Sequence, residues 1–234
     1  FFFTDECVAL SPAKRLCQQI IDKKLDIKWT CEMRFEKHLT RELLTSMRGA
    51  GCLKIVFGLE SFNQRVMDFM KKGIKQEWVR RIAGDCVDLG IAVHCYIIVG
   101  FPTEKEEEAL ETMNFIVENE QLHGSYGFSC QPCLFDLEKE APIMSDPGSY
   151  GIRRIMRPSA EDLSLGFFYE VSEGMTPDEA ERLYQHVYEK VSEVVCELPF
   201  NYSMADGLLY IARAKAQEVR EPQRFDVWLR VTGN

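Results

Sequence analysis

The sequence predicts an α/β protein in which parallel strands alternate with helices. Its 234 residues contain several short apolar runs without polar alternation, a pattern typical of strands buried on both faces. Helix-length segments separate these runs, and connections that long favour parallel pairing over hairpins. Polar residues directly follow several runs, so they are expected at the carboxyl ends of the strands, where ligands bind in parallel α/β folds.

The elements can be placed in order from these runs and from helix caps. Ser11 and Thr40 have side chains that cap helix N-termini, so helices are expected to begin there. Thr103 and Glu106 have the spacing of a capping box, and a further helix is expected over residues 75–89. Strands are expected at residues 1–6, 27–31, 53–57, 91–99 and 126–134.

The alternation stops after the fifth strand. Prolines and glycines mark a loop there, and Thr176 is expected to cap another helix. A last helix is expected over residues 204–216, and residues 227–231 suit a short strand. Two regions are therefore predicted, an α/β region at residues 1–136 and a mainly helical extension at residues 137–234 that packs on it.

Composition and charge argue against several classes of function. The formal net charge of -9 repels phosphate backbones, so no nucleic-acid partner is expected. Arg153, Arg154 and Arg157 form the one basic cluster and are interpreted as a solvated loop. No secretory signal is recognised, and no apolar stretch reaches the roughly 20 residues that span a bilayer. The sequence therefore predicts a cytoplasmic protein without membrane contact.

The nine cysteines are scattered through predicted strands and helices, unlike those of a disulfide scaffold. We interpret most of them as small buried hydrophobic residues in a reducing compartment. Cys130 and Cys133 have metal-ligand spacing, but one pair is half of a four-ligand site, so no metal site is predicted. His94 lies in a predicted buried strand and is interpreted as a hydrogen-bonded core residue.

At the predicted strand ends, short phrases of sequence resemble the core of radical S-adenosylmethionine (SAM) enzymes, most closely the branch found beside cobalamin-binding domains. The phrases occur in the family's order, and the ordered set is specific although each phrase alone is weak. They are Phe3-Thr4-Asp5-Glu6, Cys31-Glu32-Met33-Arg34, Met47-Arg48-Gly49-Ala50-Gly51-Cys52, Val56-Phe57-Gly58-Leu59-Glu60-Ser61, Met70-Lys71-Lys72-Gly73 and Ile98-Val99-Gly100-Phe101-Pro102-Thr103-Glu104.

The resemblance implies a partial (β/α) TIM-like barrel, because that family has a (β/α)6 core. In the family, a Cys-x3-Cys-x2-Cys loop after the first strand binds a 4Fe-4S cluster, which cleaves SAM to a 5′-deoxyadenosyl radical. This sequence contains no such motif. If residues 1–3 correspond to the family's second strand, the chain supplies the second to sixth strands. The cluster ligands are then expected upstream of Phe1.

The resemblance also implies which residues bind SAM. Thr4, Asp5 and Glu6 stand where a Gly-Gly-Glu motif receives the methionine amino group, although the glycines are replaced here. A carboxylate at that place suits an ammonium group. Arg34 is placed to face the SAM carboxylate, which a guanidinium fork matches. Glu60 stands at a position that often bonds the ribose hydroxyls.

For the adenine ring of SAM, the resemblance implies contacts from a Gly-x-Ile-x-Gly-x-x-Glu strand. Ile98, Val99 and Gly100 approximate that strand in this sequence. The match is loose, because Tyr96 replaces the first glycine and the glutamate is displaced to Glu104. We interpret Glu104 as a carboxylate in the first turn of a helix.

Structural roles remain open for the same residues. Asp5 and Glu6 suit the cap of the following turn, Arg34 suits a salt bridge, and Glu60 suits the acidic start of a helix. Choosing between these roles and ligand binding depends on whether the side chains meet at one edge of the sheet.

The resemblance predicts a radical SAM enzyme in full-length form, with cobalamin-dependent methyl transfer as one form of its reaction. Its substrate, a small molecule or a peptide, is not identified by the sequence. The isolated chain is expected to be inactive because the cluster motif is absent. The alternative is a non-catalytic degenerate barrel that binds a small ligand or a partner protein. An exposed edge on the first strand is expected to favour self-association.

Overall fold

A four-stranded parallel sheet forms the centre of the protein. The computed structural model describes residues 1–5, 7–123, 127–157 and 166–194. The strands lie in the order β1-β2-β3-β4, and every neighbouring pair is parallel. Their bounds are β1 (Trp29–Met33), β2 (Cys52–Glu60), β3 (Ala92–Val99) and β4 (Phe128–Leu134). The predicted parallel α/β fold is therefore confirmed.

Helices connect these strands, as the length of the connections predicts. In chain order they are α1 (Leu10–Asp22), α2 (Arg41–Gly49), α3 (Gln64–Phe69), α4 (Gln76–Asp88), α5 (Glu106–His123) and α6 (Pro177–Val194). Alternate strand residues pack against the helices and are buried, and the side chains between them are half-buried on the opposite face, called here the inner face. The buried residues of β3 are Val93, Cys95, Ile97 and Val99.

Two of the predicted helix caps form and two do not. The Thr40 hydroxyl accepts a hydrogen bond from the Leu43 amide, as predicted. The Ser11 prediction is wrong, because α1 begins one residue earlier and its first turn has no side-chain cap. Thr176 forms its capping box with Glu179 at the start of α6.

The predicted capping box of Thr103 with Glu106 is also wrong. Thr103 adopts a left-handed backbone conformation with φ of 71°, so the helix begins only at Glu106. The box is shifted along the chain, and Glu108 Oε2 accepts a hydrogen bond from the Lys105 amide at 2.9 Å.

The predicted first strand is reduced to a parallel bridge between Phe2 and Thr30. The Phe3 ring packs edge-on against Trp29, with 5.3 Å between ring centroids. After Phe3, the side chains of Thr4 and Asp5 are exposed.

The region after β4 contains a small antiparallel sheet that the sequence analysis did not predict. Its strands are β5 (Leu137–Glu138), β6 (Ile152–Met156) and β7 (Gly166–Val171), in the order β5-β7-β6. Two 3-10 helices, Pro142–Ser145 and Pro147–Tyr150, occupy the loop predicted between them. The described part of the extension therefore combines this small sheet with α6 and the two 3-10 helices. The helix expected at 204–216 and the strand expected at 227–231 lie outside the described residues.

The small sheet has its own hydrophobic core, and the segment that follows it is hydrogen-bonded to the loop after β3. Leu137, Ile143, Ile152 and Tyr169 are the buried residues of that core. The Met175 amide donates to the Glu104 carbonyl at 2.8 Å, just before α6. No helix in the described ranges is long and apolar enough to cross a membrane.

We predict that the chain self-associates through the edge formed by Phe1 and Phe2, whose exposed fractions are 78% and 38%. Replacing both with lysine should reduce association, because charges on a strand edge oppose pairing. Sedimentation velocity over a range of concentrations measures this. The control is Phe168→Lys, which removes another exposed phenylalanine from the small sheet. A monomer at high concentration, or association lost only in the control, would contradict the prediction.

Candidate functional site at the carboxyl edge of the sheet

Parallel pairing brings the ends of β1, β2 and β3 to one edge of the sheet. Arg34 directly follows β1, Glu60 is the last residue of β2, and Gly100 directly follows β3. Glu60 is paired with Ile97 in the register between β2 and β3. The structure therefore places the predicted SAM residues of three different strands at one edge.

Glu60 and Arg34 are linked through Lys72, which comes from the loop between α3 and α4. Glu60 Oε1 lies 3.0 Å from Lys72 Nζ, and both side chains are largely buried. The Arg34 guanidinium donates to the carbonyl oxygen of Lys72. The salt bridge proposed for Arg34 is thus absent from the described contacts, and Lys72 is instead the ionic partner of Glu60.

The backbone at Glu60 explains how its carboxylate reaches this position. Glu60 has φ of 63°, a left-handed conformation that a residue with a side chain adopts at a cost. Its side chain folds back over Gly58, where an added Cβ would lie 2.8 Å from Glu60 Oε1. A glycine at position 58 is therefore needed for the observed carboxylate position.

The segment before α1 lies beside Arg34. The Val8 amide donates to the Glu32 carbonyl at 2.8 Å, which fixes this segment along the end of β1. Burial raises the pKa of the Cys7 thiol, and Glu36 adds to the rise while Arg34 opposes it. Thr4 and Asp5 are exposed just before this contact. Glu6 lies outside the described residues.

The adenine-side residues have different surroundings. Ile98 is half-buried on the inner face, whereas the Val99 side chain is only 3% exposed and belongs to the core. Val99 therefore offers a ligand only its backbone. Gly100 has φ of 84°, and an added Cβ there would lie 2.4 Å from the Cβ of Ala180 in α6.

The Glu104 carboxylate is hydrogen-bonded to the turn that follows β3. The Gly100 amide donates to Glu104 Oε2 at 2.8 Å, while Glu104 Oε1 has no hydrogen-bond partner among the described residues. The residue is 1% exposed, and burial raises its pKa to about 7. Describing Glu104 as a first-turn carboxylate was therefore wrong, because α5 begins after it and its side chain is buried.

Arg65 fixes the same turn from α3. Its guanidinium donates to the Thr103 carbonyl at 2.9 Å and to the Thr103 hydroxyl at 3.2 Å. It also forms an ion pair with Glu108 in the first turn of α5. These contacts lower the pKa of Glu108, mainly through the hydrogen bond from Arg65.

The inner face below the edge is polar. Tyr96 lies opposite Gly58 on one side and Gln131 on the other. Burial raises the Tyr96 pKa, and the neighbouring acidic groups of Glu32, Cys133 and Glu60 raise it further. The Tyr96 phenol is therefore neutral at physiological pH.

His94 lies two residues before Tyr96 on β3 and is also on the inner face. Its Nδ1 is 2.8 Å from the Ser129 hydroxyl, which confirms that this histidine is hydrogen-bonded. Burial and the nearby Lys54 lower its pKa to about 3, so its imidazole is neutral at physiological pH.

Metal-binding geometry is not found among the described residues, where no three His, Cys, Asp or Glu side chains converge. Cys130 is buried, whereas Cys133 is exposed three residues later. The two thiols thus have different environments on β4, and burial raises the pKa of each.

The fold and this edge define a class: a parallel α/β protein with a cluster of polar groups at the carboxyl ends of its strands. Residues 1–116 match the family model described as the radical SAM superfamily. This region of the chain belongs to that superfamily. A curated relative, the uncharacterised methyltransferase PH0819 of Pyrococcus horikoshii, is 28% identical over 115 residues, which cover 48% of this chain and 25% of the relative.

Solved structures show the same fold. The radical SAM methyltransferase TsrM from Kitasatospora setae, with cobalamin and a 4Fe-4S cluster bound, superposes with a TM-score of 0.52 and 17% identity, covering 74% of this chain and 35% of TsrM. The cobalamin-dependent radical SAM enzyme OxsB, with aqua-cobalamin bound, gives 0.59 and 14%, covering 79% and 33%. The radical SAM enzyme HemN from Escherichia coli gives 0.51 and 12%, covering 80% and 38%.

The chain spans between a quarter and two-fifths of the length of these proteins. At such identities the structural likeness shows the fold alone. The SAM contacts carried over to Thr4, Asp5, Glu6, Arg34 and Glu60, and to Ile98, Val99 and Gly100, therefore stay predictions.

Sequence reasoning missed three residues at this edge. Lys72 lies in a phrase that carries the family resemblance, but no role was assigned to it. Tyr96 was noted only as a departure from the family's glycine. Glu104 was recognised as the displaced motif glutamate, but its burial depends on how α3, α5 and α6 pack around it.

We predict that Glu104→Gln removes a pH dependence of stability. The folded pKa is about 7 and the reference value is 4.5, so the folded state holds the proton more tightly. The stabilising contribution is complete below pH 4.5 and is lost as the pH rises through 7. Glutamine keeps an acceptor for the Gly100 amide without becoming charged.

The variant should therefore gain stability relative to wild type between pH 5 and pH 8, by on the order of 2–3 kcal/mol. Urea unfolding at several pH values measures the difference, with Glu118→Gln on the exposed side of α5 as the control. An equal difference at both ends of the pH range would refute the assignment.

Proposed function

We propose that this chain is part of a radical SAM enzyme that, in full-length form, cleaves SAM reductively at a 4Fe-4S cluster. The observation that carries this proposal is the meeting of Arg34, Lys72 and Glu60 at the strand ends of a radical SAM domain. The cluster, when bound, supplies the electron that releases a 5′-deoxyadenosyl radical from SAM. The methyltransferase TsrM, which has cobalamin bound, supports cobalamin-dependent methyl transfer as its reaction, and the cobalamin-dependent enzyme OxsB supports the use of cobalamin.

The residues at this edge suit SAM chemically. SAM presents an ammonium group, a carboxylate, ribose hydroxyls and a flat adenine ring. The Glu60 carboxylate accepts hydrogen bonds from hydroxyls, the Arg34 fork pairs with a carboxylate, and the exposed Asp5 can receive the ammonium group. Ile98 offers a half-buried apolar side chain against which the adenine ring can pack.

For the 4Fe-4S cluster, unlike for SAM, this sequence offers no residues that match the family's ligand motif. The sequence has no Cys-x3-Cys-x2-Cys motif, and no suitable group of side chains converges within the described ranges. We propose that residues preceding Phe1 in a longer protein supply the three thiolates. The fraction of TsrM and OxsB covered by this chain is consistent with such a parent.

We predict that residues 1–234 alone do not cleave SAM. Anaerobic reconstitution with iron and sulfide should give no cluster absorption band and no 5′-deoxyadenosine. The parent protein, treated identically, should give both, and cobalamin-dependent methyl transfer should also yield S-adenosylhomocysteine. A parent with neither SAM binding nor either product would reject the enzyme and favour a degenerate barrel that binds a ligand or partner.

We also predict that Glu60→Gln in the parent protein weakens SAM binding about tenfold, because a charge-assisted hydrogen bond to the ribose becomes a neutral one. Equilibrium binding of SAM measures the effect, and Glu118→Gln provides an exposed control with the same change in charge. Unchanged SAM affinity would show that Glu60 does not contact SAM, but it would not contradict the proposed cleavage of SAM.

A further inference from the structure

A lysine on the inner face has no ionic partner among the described residues. Lys54 lies near the start of β2, paired with Thr30 of β1 and Ala92 of β3 in the sheet register. Its neighbours Leu53 and Ile55 are buried, whereas Lys54 is half-buried. The Thr30 hydroxyl donates to the Lys54 carbonyl, so the backbone there is fixed.

Within the described part of the chain, the Lys54 ammonium makes no hydrogen bond or ion pair. Glu32 is the inner-face carboxylate nearest to it by register, two residues beyond Thr30, and the two do not form an ion pair. Burial lowers the Lys54 pKa to about 8 with no carboxylate to offset the effect. Ammonium groups that are partly removed from water are normally paired, and the described residues supply no counter-charge for this one.

His94 completes the site from β3. The register pairs Val56 with His94, which places this histidine two residues further along the inner face than the Lys54 pair. Ser129 Oγ donates weakly to the Val93 carbonyl at 3.4 Å and lies 2.8 Å from His94 Nδ1. Because the contact with His94 Nδ1 is much the shorter, the hydroxyl hydrogen is assigned mainly to it, and the neutral ring then carries its proton on Nε2, where it can donate to an anion.

We propose that Lys54 and His94 form an anion-binding subsite at the amino-terminal end of the inner face, which takes a carboxylate or phosphate group of the substrate. Lys54 lies six residues before Glu60 on β2, about 20 Å along the strand at roughly 3.3 Å per residue. The subsite is therefore separate from the SAM residues at the edge. A substrate anchored at Lys54 would extend along the inner face past Tyr96 towards them.

Calling this ligand the substrate rests on the proposed function, but its binding can be measured without SAM or a cluster. The probes are 3-phenylpropanoate and phenyl phosphate, which present similar rings with different anionic groups. Nuclear magnetic resonance at pH 7 follows the His94 ring signals, which a His94→Asn variant assigns. Both probes are titrated into the chain of residues 1–234.

The expected result is a saturable shift of the His94 signals with at least one probe. Lys54→Met should weaken binding about tenfold or more, because it removes a charge-assisted interaction. Lys54→Arg should retain most of the affinity. The control is Lys14→Met, which removes an exposed charge from α1 without affecting binding. Binding of one probe alone identifies its anionic group, and binding of both identifies an anion site that does not discriminate.

Two results would overturn the proposal. One is the absence of any His94 shift with either probe, which is expected if water alone solvates the ammonium group. The other is unchanged probe affinity in Lys54→Met. Thermal unfolding should show this variant at least as stable as wild type, because methionine removes a partly desolvated charge. Lys54→Gln provides a second neutral variant if the methionine protein fails to fold.

Discussion

The structure depends on burying one face of the parallel sheet beneath its connecting helices. Alternate residues of each strand enter that core, and the core includes side chains from α1, α2, α4 and α5. Because a strand alternates its side chains, the same register commits the intervening residues to the inner face. The positions of Lys54, His94 and Tyr96 are therefore consequences of core packing, and so is the common edge where Arg34 and Glu60 lie.

Much of the large sheet could be predicted from the sequence, because buried parallel strands are nearly continuous apolar runs separated by helices. The caps at Thr40 and Thr176 were also predictable, since each depends on residues within one turn. The small sheet was not, because β5 has only two residues and β6 contains adjacent arginines. Its core is formed by residues far apart in the sequence, such as Leu137, Ile152 and Tyr169.

The candidate site was predictable in location but less so in its internal contacts. Strand ends identify which residues reach the edge, and Arg34 and Glu60 do reach it. Sequence spacing does not reveal that Lys72 pairs with Glu60 twelve residues away, because the loop after α3 must first fold back over β2. The pKa of Glu104 likewise depends on burial by elements far apart in the chain.

The close approach of Gly100 to Ala180 limits how the turn after β3 can move. The turn has no free space towards α6, because that helix already fills the volume a single methyl group would need. Displacement of the turn towards α6 is therefore sterically blocked. The amino acids at these two positions are accordingly restricted as a pair, and enlarging either would force the turn and α6 apart.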